Sequence, residues 1–292
     1  MYVVSYFTDA DEALHLAHSH DGERFATVNG GRPVLRGSVG TGRLRDPFLG
    51  VGPDGLFHLL ATDGWTSPDI VHATSADLVN WSEQRLIPVM AGVPGALNAW
   101  APEFFLDRRT GLYHLVWSSV VEPGGTAEGR DFEHRTQDHR IWHCITEDFR
   151  TFSAPGVFFD PGHSVIDATV RELAGGGFLM AFKDERGIND TATAHKDIHL
   201  TTFDVPGGPY APPRGPVTPS LAEGPSLFRR GDEWVMIFDH FLEGRYGAIR
   251  SRDGVTWEPV SLSLPPGMRH ASVLETSVSL PETSALDTLA AR

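Results

Sequence analysis

Cysteine is almost absent from this chain of 292 residues, in which Cys144 is the single example. One thiol cannot form an internal disulfide, and its place in the apolar run RIWHCIT predicts that it packs as a small hydrophobic side chain. The sequence also lacks an apolar run long enough to cross a bilayer. Its start, MYVVSYFTDADE, has no basic segment followed by a long apolar stretch and a cleavage site, which predicts a soluble, cytoplasmic protein.

Positive charge is also scarce, because 24 Lys and Arg stand against 38 Asp and Glu and the formal net charge is −14. An acidic surface repels phosphate backbones and anionic lipid head groups. We therefore expect neither nucleic acid nor a membrane as a partner. The 31 Gly and 21 Pro are spread along the chain, a distribution typical of many short strands joined by tight turns.

A short motif recurs five times: an extended run, a Ser/Thr-x-Asp turn, and an aromatic residue that begins the next run. The turn aspartates and their aromatic partners are Asp21 with Phe25, Asp77 with Trp81, Asp148 with Phe152, Asp204 with Tyr210, and Asp253 with Trp257. Successive aspartates lie 49 to 71 residues apart, which is the length of a four-stranded unit. Five such units predict an all-β fold, a closed five-bladed β-propeller.

Each unit can be divided into four strands, A to D from the ring axis outward. The B strands are the most apolar, at residues 2–8, 56–62, 112–118, 178–183 and 233–239. A strands precede four of them, at residues 47–51, 103–107, 168–173 and 225–230. The first unit lacks an A strand of its own, and residues 271–276 supply one from the far end of the chain. We therefore expect one domain at 1–277, with its ends sharing a blade, and a C-terminal tail at 278–292.

Titratable residues stand near the start of every predicted inner strand. In chain order they are Asp46, Glu103, Asp167, Glu223 and His270. Because the inner strands of a propeller line its channel and begin at one face, we expect these side chains to meet around one axis. The connections from B to C strands reach the same face. They carry Asp63 to Trp65, the loop 120–139, Lys183 to Glu185, and Asp239 with His240. This face is the predicted binding mouth.

Asp46, Asp167 and Glu223 supply the carboxyl groups that hydrolysis of a glycosidic bond requires. That reaction uses one protonated carboxyl group for the leaving oxygen and one ionised carboxylate for water. A third carboxyl group can orient the acid and tune its pKa. For any one of the three, a role as a turn or cap group is the structural alternative.

At these positions the sequence resembles glycoside hydrolase family 43, whose members are five-bladed propellers with a carboxylate triad at the starts of inner strands. The matching segments are RDPF (45–48), WAPE (100–103), IDAT (166–169), EGPS (223–226) and RHAS (269–272). The resemblance implies an inverting enzyme in which Asp46 is the general base, Asp167 tunes and orients the acid, and Glu223 is the general acid. The opening SYF, LIPVM (86–90) and DHRIW (138–142) resemble a branch associated with arabinofuranosidase activity, so the implied enzyme is an α-L-arabinofuranosidase.

Other functions stay open on the sequence. The same resemblance admits a β-xylosidase or a galactofuranosidase, and a sugar-binding propeller without catalysis would not need all three carboxylates. A phosphorolytic relative would need a phosphate site, for which Arg43, Arg45 and Lys183 are the candidates. The RDP segment also resembles a motif of the retaining, invertase-like family 32. Its nucleophile would have to be Asp9 or Asp11, and neither begins an inner strand.

Further substrate-binding residues are predicted from their chemistry and position. Trp65 and Trp100 offer apolar faces for a sugar ring, although tryptophans beside strands also pack between blades. Arg269 and Lys183 can bond hydroxyl groups or steady a carboxylate. Glu103 joins this set as the acidic residue of the WAPE segment.

The axial histidine and one long loop complete the prediction. His270 either contacts an axial water or cation or is a satisfied buried imidazole. No cofactor is required; if a structural metal binds near the channel axis, with His270 as a candidate ligand, calcium is the first candidate because the neighbouring groups are rich in oxygen. The loop 120–139 is expected to wall one side of the pocket, which suits an exo-acting enzyme that takes terminal sugars from oligosaccharide or polysaccharide side chains.

Overall fold

The computed structural model describes residues 1–128, 130–132, 137–187 and 195–276. In these ranges the chain is almost entirely β-structure, with a short 3-10 helix at Asn29–Gly31. None of the described segments is a helix of the length and apolar character needed to cross a membrane. The predicted C-terminal tail at 278–292 lies outside the described residues.

The described strands form five separate antiparallel sheets. The first contains β1 (Tyr2–Phe7), β2 (His15–Ser19), β3 (Ala26–Thr27) and, from the end of the chain, β19 (Arg269–Glu275). The second contains β4 (Arg45–Val51), β5 (Phe57–Thr62), β6 (Ile70–Ser75) and β7 (Arg85–Ile87). The third contains β8 (Trp100–Asp107), β9 (Leu112–Val120), β10 (His139–Thr146) and β11 (Gly156–Phe159).

The last two sheets follow the same order from the inside outward. The fourth contains β12 (Val165–Glu172), β13 (Phe178–Asp184) and β14 (Asp197–Phe203). The fifth contains β15 (Glu223–Arg230), β16 (Glu233–His240), β17 (Arg245–Ser251) and β18 (Glu258–Pro259). The predicted five-bladed propeller is therefore confirmed.

The ring closes as the sequence predicts, because β19 pairs antiparallel with β1 and forms the innermost strand of the first blade. The fourth blade departs from the expected four strands. Isolated bridges, Leu200 with Arg214 and Phe203 with Tyr210, take the place of an outer strand there.

At four of the five Ser/Thr-x-Asp turns, bonds between side chain and backbone close the outer hairpin. In the first blade the Gly22 amide donates to Ser19 Oγ at 2.9 Å. The Glu23 and Arg24 amides donate to Asp21 Oδ1 at 2.8 and 2.9 Å. The same bonds form at Asp77, Asp148 and Asp253. Each turn thus satisfies backbone donors that a hairpin end would leave unpaired.

Apolar side chains from neighbouring blades interlock and form the core. Between the second and third blades, one cluster contains Leu60, Phe104, Leu115 and Phe149. Cys144 belongs to this cluster and is 2% exposed. Burial raises the pKa of its thiol to about 12, so the cysteine is a packing residue as predicted.

Every inner strand carries one extra residue at the same register. In the second blade Arg45 pairs with Thr62 and Phe48 with Leu60, so three steps along β4 match two along β5. Equivalent shifts occur in the other four sheets. The residue after the one that begins each bulge has a positive φ: Asp46 (46°), Ala101 (47°), Asp167 (58°), Gly224 (54°) and His270 (34°). Such bulges re-aim side chains at the end of a strand.

A chain of buried polar contacts links the second and third blades. Arg85 Nε donates to His72 Nδ1 at 3.2 Å, and another Arg85 N–H donates to the Phe149 carbonyl. Because a guanidinium only donates, His72 must donate from Nε2 to His58 Nδ1 at 3.0 Å, and His58 then donates to Asp54 at 3.0 Å. Both imidazoles are neutral. Burial lowers the pKa of His58, and it lowers that of His72 to about 3.

We expect the free energy of unfolding to fall as the pH drops below about 6.5, because the unfolded chain protonates His72 there and the folded chain does so only near pH 3. One such group contributes a slope of at most about 1.4 kcal/mol per pH unit. Urea unfolding between pH 7 and pH 4 measures it. His72→Gln should flatten the curve, whereas the exposed His20→Gln should leave the slope unchanged. Parallel curves for the wild type and His72→Gln would contradict this account.

Candidate active site

The five bulges place two rings of residues at one mouth of the channel. The first ring contains the residue at which each bulge begins: Arg45, Trp100, Ile166, Glu223 and Arg269. The bulge ring contains the positive-φ residues that follow: Asp46, Ala101, Asp167, Gly224 and His270. Asp46, Asp167 and His270 therefore occupy equivalent places in three blades, and Glu223 precedes the equivalent place in the fifth.

The three predicted carboxylates line one cavity. This small cavity of about 80 Å³ is lined by Asp46, Asp167 and Glu223, together with Trp65, Trp100 and His270. A wider cavity of about 490 Å³ shares Trp65, Trp100 and Glu223 with it and adds Lys183 and Arg269. The structure thus brings all but one of the predicted site residues to a single mouth.

Glu103 is the exception. The prediction that it begins an inner strand is wrong, because β8 begins at Trp100 and Glu103 follows the bulge. Glu103 is 8% exposed and lines neither cavity. Its Oε2 accepts hydrogen bonds from Thr169 Oγ1 at 2.9 Å and Arg171 Nη1 at 3.2 Å. Burial raises the pKa of Glu103 against the effect of Arg171, and the side chain joins the third blade to the fourth.

His270 faces Asp46 across the small cavity, with Nδ1 3.5 Å from Oδ1. Burial lowers the pKa of this imidazole, but Asp46, Asp167 and Glu223 raise it by more, and the net pKa lies above its usual value. The carboxylates around His270 therefore favour the positively charged form of its imidazole.

Asp167 is held by its neighbours on both sides. Its amide donates to Ser118 Oγ of the third blade at 3.1 Å, and its Oδ2 accepts the Gly224 amide of the fifth blade at 3.1 Å. A side chain at Gly224 would place a Cβ 3.1 Å from His270 Cγ, so this close approach requires glycine. Burial raises the pKa of Asp167 to about 6, against the opposing effects of His270 and Lys183.

Glu223 belongs to a row of alternating charges. Its Oε2 lies 2.8 Å from Lys183 Nζ, which also lies 2.9 Å from Glu185 Oε2, and Lys196 pairs with the other oxygen of Glu185. Burial raises the pKa of Glu223, but Lys183, His270 and Arg269 together outweigh this effect and the net pKa lies below its usual value. The pKa values of Asp167 and Glu223 are therefore shifted in opposite directions, upward for Asp167 and downward for Glu223.

Aromatic side chains form one wall of the site. The rings of Trp65 and Trp100 are nearly perpendicular, with centroids 5.5 Å apart, and Trp100 Nε1 donates to the Trp65 carbonyl at 2.9 Å. Phe132, from the predicted wall loop, packs on Trp100 at 5.3 Å and lines the wider cavity. The Arg45 guanidinium lies 4.3 Å from the centroid of Trp65. Both tryptophans therefore combine packing with an exposed face.

Several cavity residues were not predicted as substrate contacts. They are Asp9, Phe132, Glu185, Lys196, Phe241 and Leu242. All of them lie between strands and not within them. Phe132 and Glu185 lie in connections that the sequence predicted to reach the mouth, although neither was assigned to the substrate. The approach of Asp9, Lys196 and the segment 241–242 depends on how the blades close into a ring, and no local periodicity marks it.

The axial side chains do not fit the predicted calcium ion. Calcium needs several oxygen ligands that are free to coordinate it. Glu103 is already bound by Arg171, and Asp46 faces His270, whose positively charged form the surrounding carboxylates favour. In the described part of the chain, one group of three closely spaced metal-binding side chains is present: Asp184, Asp197 and His199. Arg186 already donates hydrogen bonds to the carboxylate of Asp184 in this group. The proposed reaction therefore includes no metal.

A closed ring of five sheets, with carboxyl groups from separate inner strands meeting in one cavity, defines a five-bladed propeller of the glycoside hydrolase class. The chain belongs to the family related to glycoside hydrolase family 43, whose model is described as a probable glycosyl hydrolase domain and matches residues 1–280. This match confirms the resemblance on which the sequence prediction depends.

Named relatives agree with this assignment. An α-L-arabinofuranosidase from Bifidobacterium longum subsp. longum is 28% identical over 280 residues, covering 80% of this chain and 26% of that protein. The chain thus spans about a quarter of the length of this relative. A xylan β-1,4-xylosidase from Bacillus halodurans C-125 has a TM-score of 0.62 at 17% identity, covering 84% of this chain and 48% of the other. An α-L-arabinofuranosidase from Lactobacillus brevis has a TM-score of 0.56 at 16% identity, covering 74% and 72%. The two solved structures support the fold.

We expect the substitution Ser118→Ala to lower activity because it displaces Asp167. Ser118 is fully buried, and its loss leaves the Asp167 amide without a partner, which costs about 1–3 kcal/mol of stability. A displaced Asp167 should lower glycosidase kcat/KM by about 10- to 100-fold. The matched control is Ser119→Ala, which removes an equally buried hydroxyl that donates to the Asn98 carbonyl at 2.6 Å. It should lower stability and leave kcat/KM near the wild-type value; equal kcat/KM in both variants would refute the prediction.

Proposed function

We propose that this chain is an exo-acting, inverting glycoside hydrolase that removes terminal α-L-arabinofuranosyl groups from oligosaccharide or polysaccharide side chains. The observation that carries the proposal is that Asp46, Asp167 and Glu223, from three different blades, line one small cavity beneath a wider mouth. The name of the Bifidobacterium relative supports the choice of sugar.

In the proposed reaction a single displacement takes place at the anomeric carbon, as the resemblance to family 43 implies. The Glu223 carboxyl group donates a proton to the glycosidic oxygen as the bond between that oxygen and the anomeric carbon breaks. Asp46 takes a proton from a water molecule whose oxygen bonds to the anomeric carbon from the opposite face. His270 lies beside this base, with its Nδ1 3.5 Å from Asp46 Oδ1. One displacement of this kind inverts the anomeric configuration.

The acid must receive its proton from within the site, because Lys183 holds Glu223 ionised in the free protein. Asp167 stores that proton, since burial raises its pKa to about 6. Transfer of the proton from Asp167 to Glu223 produces the active form. Activity should therefore decline as the pH rises above about 6 and Asp167 loses the stored proton.

The contacts of the candidate phosphate ligands favour hydrolysis over phosphorolysis. Arg43 Nε and Arg45 Nη1 lie 3.1 and 2.5 Å from the two oxygens of Glu12. Lys183 is bound to Glu223. Each candidate cation thus has a carboxylate partner already, and an incoming phosphate would have to displace that partner.

A panel of nitrophenyl α-L-arabinofuranoside, β-D-xyloside and β-D-galactofuranoside, with the product anomer followed by NMR, tests the function. We expect hydrolysis of the arabinofuranoside and a first product of inverted configuration. Faster hydrolysis of the xyloside or the galactofuranoside would assign that sugar as the substrate instead. A first product with the same anomeric configuration as the substrate would overturn the inverting mechanism. A rate that depends on added phosphate would indicate a phosphorylase, and calorimetric binding without turnover would indicate a sugar-binding module.

Replacing the acid should matter most when the leaving group is poor. We expect Glu223→Gln to lower kcat/KM by about 10²- to 10⁴-fold for a 4-nitrophenyl glycoside, the range that a general acid supplies. A 2,4-dinitrophenolate group leaves without protonation, so kcat/KM for a 2,4-dinitrophenyl glycoside should fall far less. The control is Glu275→Gln, which lies at the opposite end of the same channel and should behave as wild type. Equal losses for both leaving groups would exclude Glu223 as the acid.

A further inference from the structure

The two cavities at the mouth share Glu223 but differ in their other carboxyl groups. Among the described residues, the small cavity is lined by Asp46, Asp167 and Glu223, whereas the wider cavity is lined by Glu223 and by neither of the other two. In a displacement at the anomeric carbon, the terminal sugar lies between base and acid, and the leaving group departs on the side of the acid. The wider cavity is therefore the space into which a leaving group extends.

The connection between β16 and β17 forms one side of the wider cavity. It is a tight turn, in which the Glu243 and Gly244 amides donate to the His240 carbonyl at 2.8 and 3.1 Å. Such turns usually carry small or polar residues. Here the two positions after His240 are Phe241 and Leu242, and both line the cavity. The turn thus presents two large apolar residues at a mouth that is otherwise rich in charge.

Leu242 is exposed over 55% of its surface. Among the large apolar side chains that the described part of the chain exposes, it is the one that lines the wider cavity. Single exposed apolar residues are common on protein surfaces. Leu242 differs from the others because it lies next to a second apolar residue, Phe241, at the edge of a cavity that contains the proposed acid.

Phe241 is fixed by contacts of its backbone and of its ring. Its carbonyl accepts a hydrogen bond from Arg269 Nη1 at 3.0 Å, and its ring centroid lies 4.7 Å from Lys183 Nζ. Lys183 Nζ in turn lies 2.8 Å from Glu223 Oε2. One ammonium group therefore bridges the ring and the acid. Because Phe241 is only half-buried and lines the wider cavity, it is available to a ligand there.

The rest of the wider cavity suits a neutral sugar. Trp65, Trp100 and Phe132 contribute aromatic side chains from the second and third blades, whereas Phe241 belongs to the fifth. A sugar ring has apolar C–H faces that pack on aromatic and aliphatic side chains, and hydroxyl groups that bond the polar groups of a pocket. The charged side chains of this cavity can bond such hydroxyl groups.

We propose that Phe241 and Leu242 form the platform for the leaving group, and that this group is a second sugar ring of the oligosaccharide. This inference rests on the function proposed above, in which Glu223 is the acid. An apolar face of the second ring packs on the turn while the glycosidic oxygen reaches Glu223. The protein therefore recognises two sugars, the terminal one in the small cavity and the next one in the wider cavity.

Two substrates that differ in the size of the leaving group test this platform. Methyl α-L-arabinofuranoside and arabinobiose both release an alcohol that needs protonation, but only arabinobiose places a sugar ring in the wider cavity. We expect the wild type to hydrolyse arabinobiose with a kcat/KM at least about tenfold higher. Phe241→Ala and Leu242→Asn should each lower kcat/KM for arabinobiose by about three- to tenfold and leave the value for the methyl glycoside within about twofold.

The matched control is Val255→Asn, because Val255 is 59% exposed at a turn of the same blade and lines neither cavity. It should behave as wild type on both substrates, and Phe241→Tyr, which keeps the ring, should retain the preference for arabinobiose. If Phe241 only covers the ion pair of Lys183 and Glu223, Phe241→Ala will lower kcat/KM equally for both substrates and Leu242→Asn will have no effect. That pattern, or a wild type without a preference for arabinobiose, would overturn the proposal.

The outcome stays distinct from that of the proposed function. If the nitrophenyl panel assigns xylose as the substrate sugar, methyl β-D-xyloside and xylobiose replace the first pair of substrates. If the wild type hydrolyses no glycoside, the proposed function fails, and calorimetric titration with arabinobiose tests the platform alone. Weaker binding to Leu242→Asn than to Val255→Asn would support a sugar-binding role for the turn, and equal affinities would rule it out.

Discussion

One extra residue in each inner strand is the constraint on which the site depends. Because the extra residue falls at the same register in all five blades, five backbones turn in the same way at one mouth of the channel. A left-handed backbone costs an ordinary residue about 1–2 kcal/mol, and Asp46, Asp167 and His270 all adopt it. Hydroxyls such as that of Ser118 hold the turned amides from the preceding blade. The carboxylates are placed by backbone geometry that their neighbours enforce, and such strain is typical of functional sites.

The second constraint is the balance of buried charge. Carboxyl groups crowded into one cavity raise each other's pKa, and the cations beside them act in the opposite direction. Lys183, His270 and Arg269 lower the pKa of Glu223, whereas burial raises the pKa of Asp167 to about 6. In the proposed reaction Glu223 must be protonated when substrate binds, so the balance of these opposing effects decides whether the site is active.

Most of the architecture could be predicted because local sequence patterns specify it. Apolar strand-length runs, the repeated Ser/Thr-x-Asp turn and the spare strand at the end of the chain specify blades, hairpins and closure without reference to distant residues. Glu103 was misplaced because the bulge register is a property of two paired strands, and Ala101 is the residue equivalent to Asp46. The fourth blade was expected to have an outer strand for a similar reason, because the local sequence of an isolated bridge resembles that of a paired strand.

The sequence by itself determined the number of blades and the order of the strands, because turn chemistry and strand patterning act between residues close in the chain. It also predicted three carboxyl groups that the structure brings into one cavity. Only the tertiary structure decided that Glu223 contacts Lys183, and that burial raises the pKa of Asp167. A pKa depends on burial and on charges brought together from distant parts of the chain, and neither exists until the ring has closed.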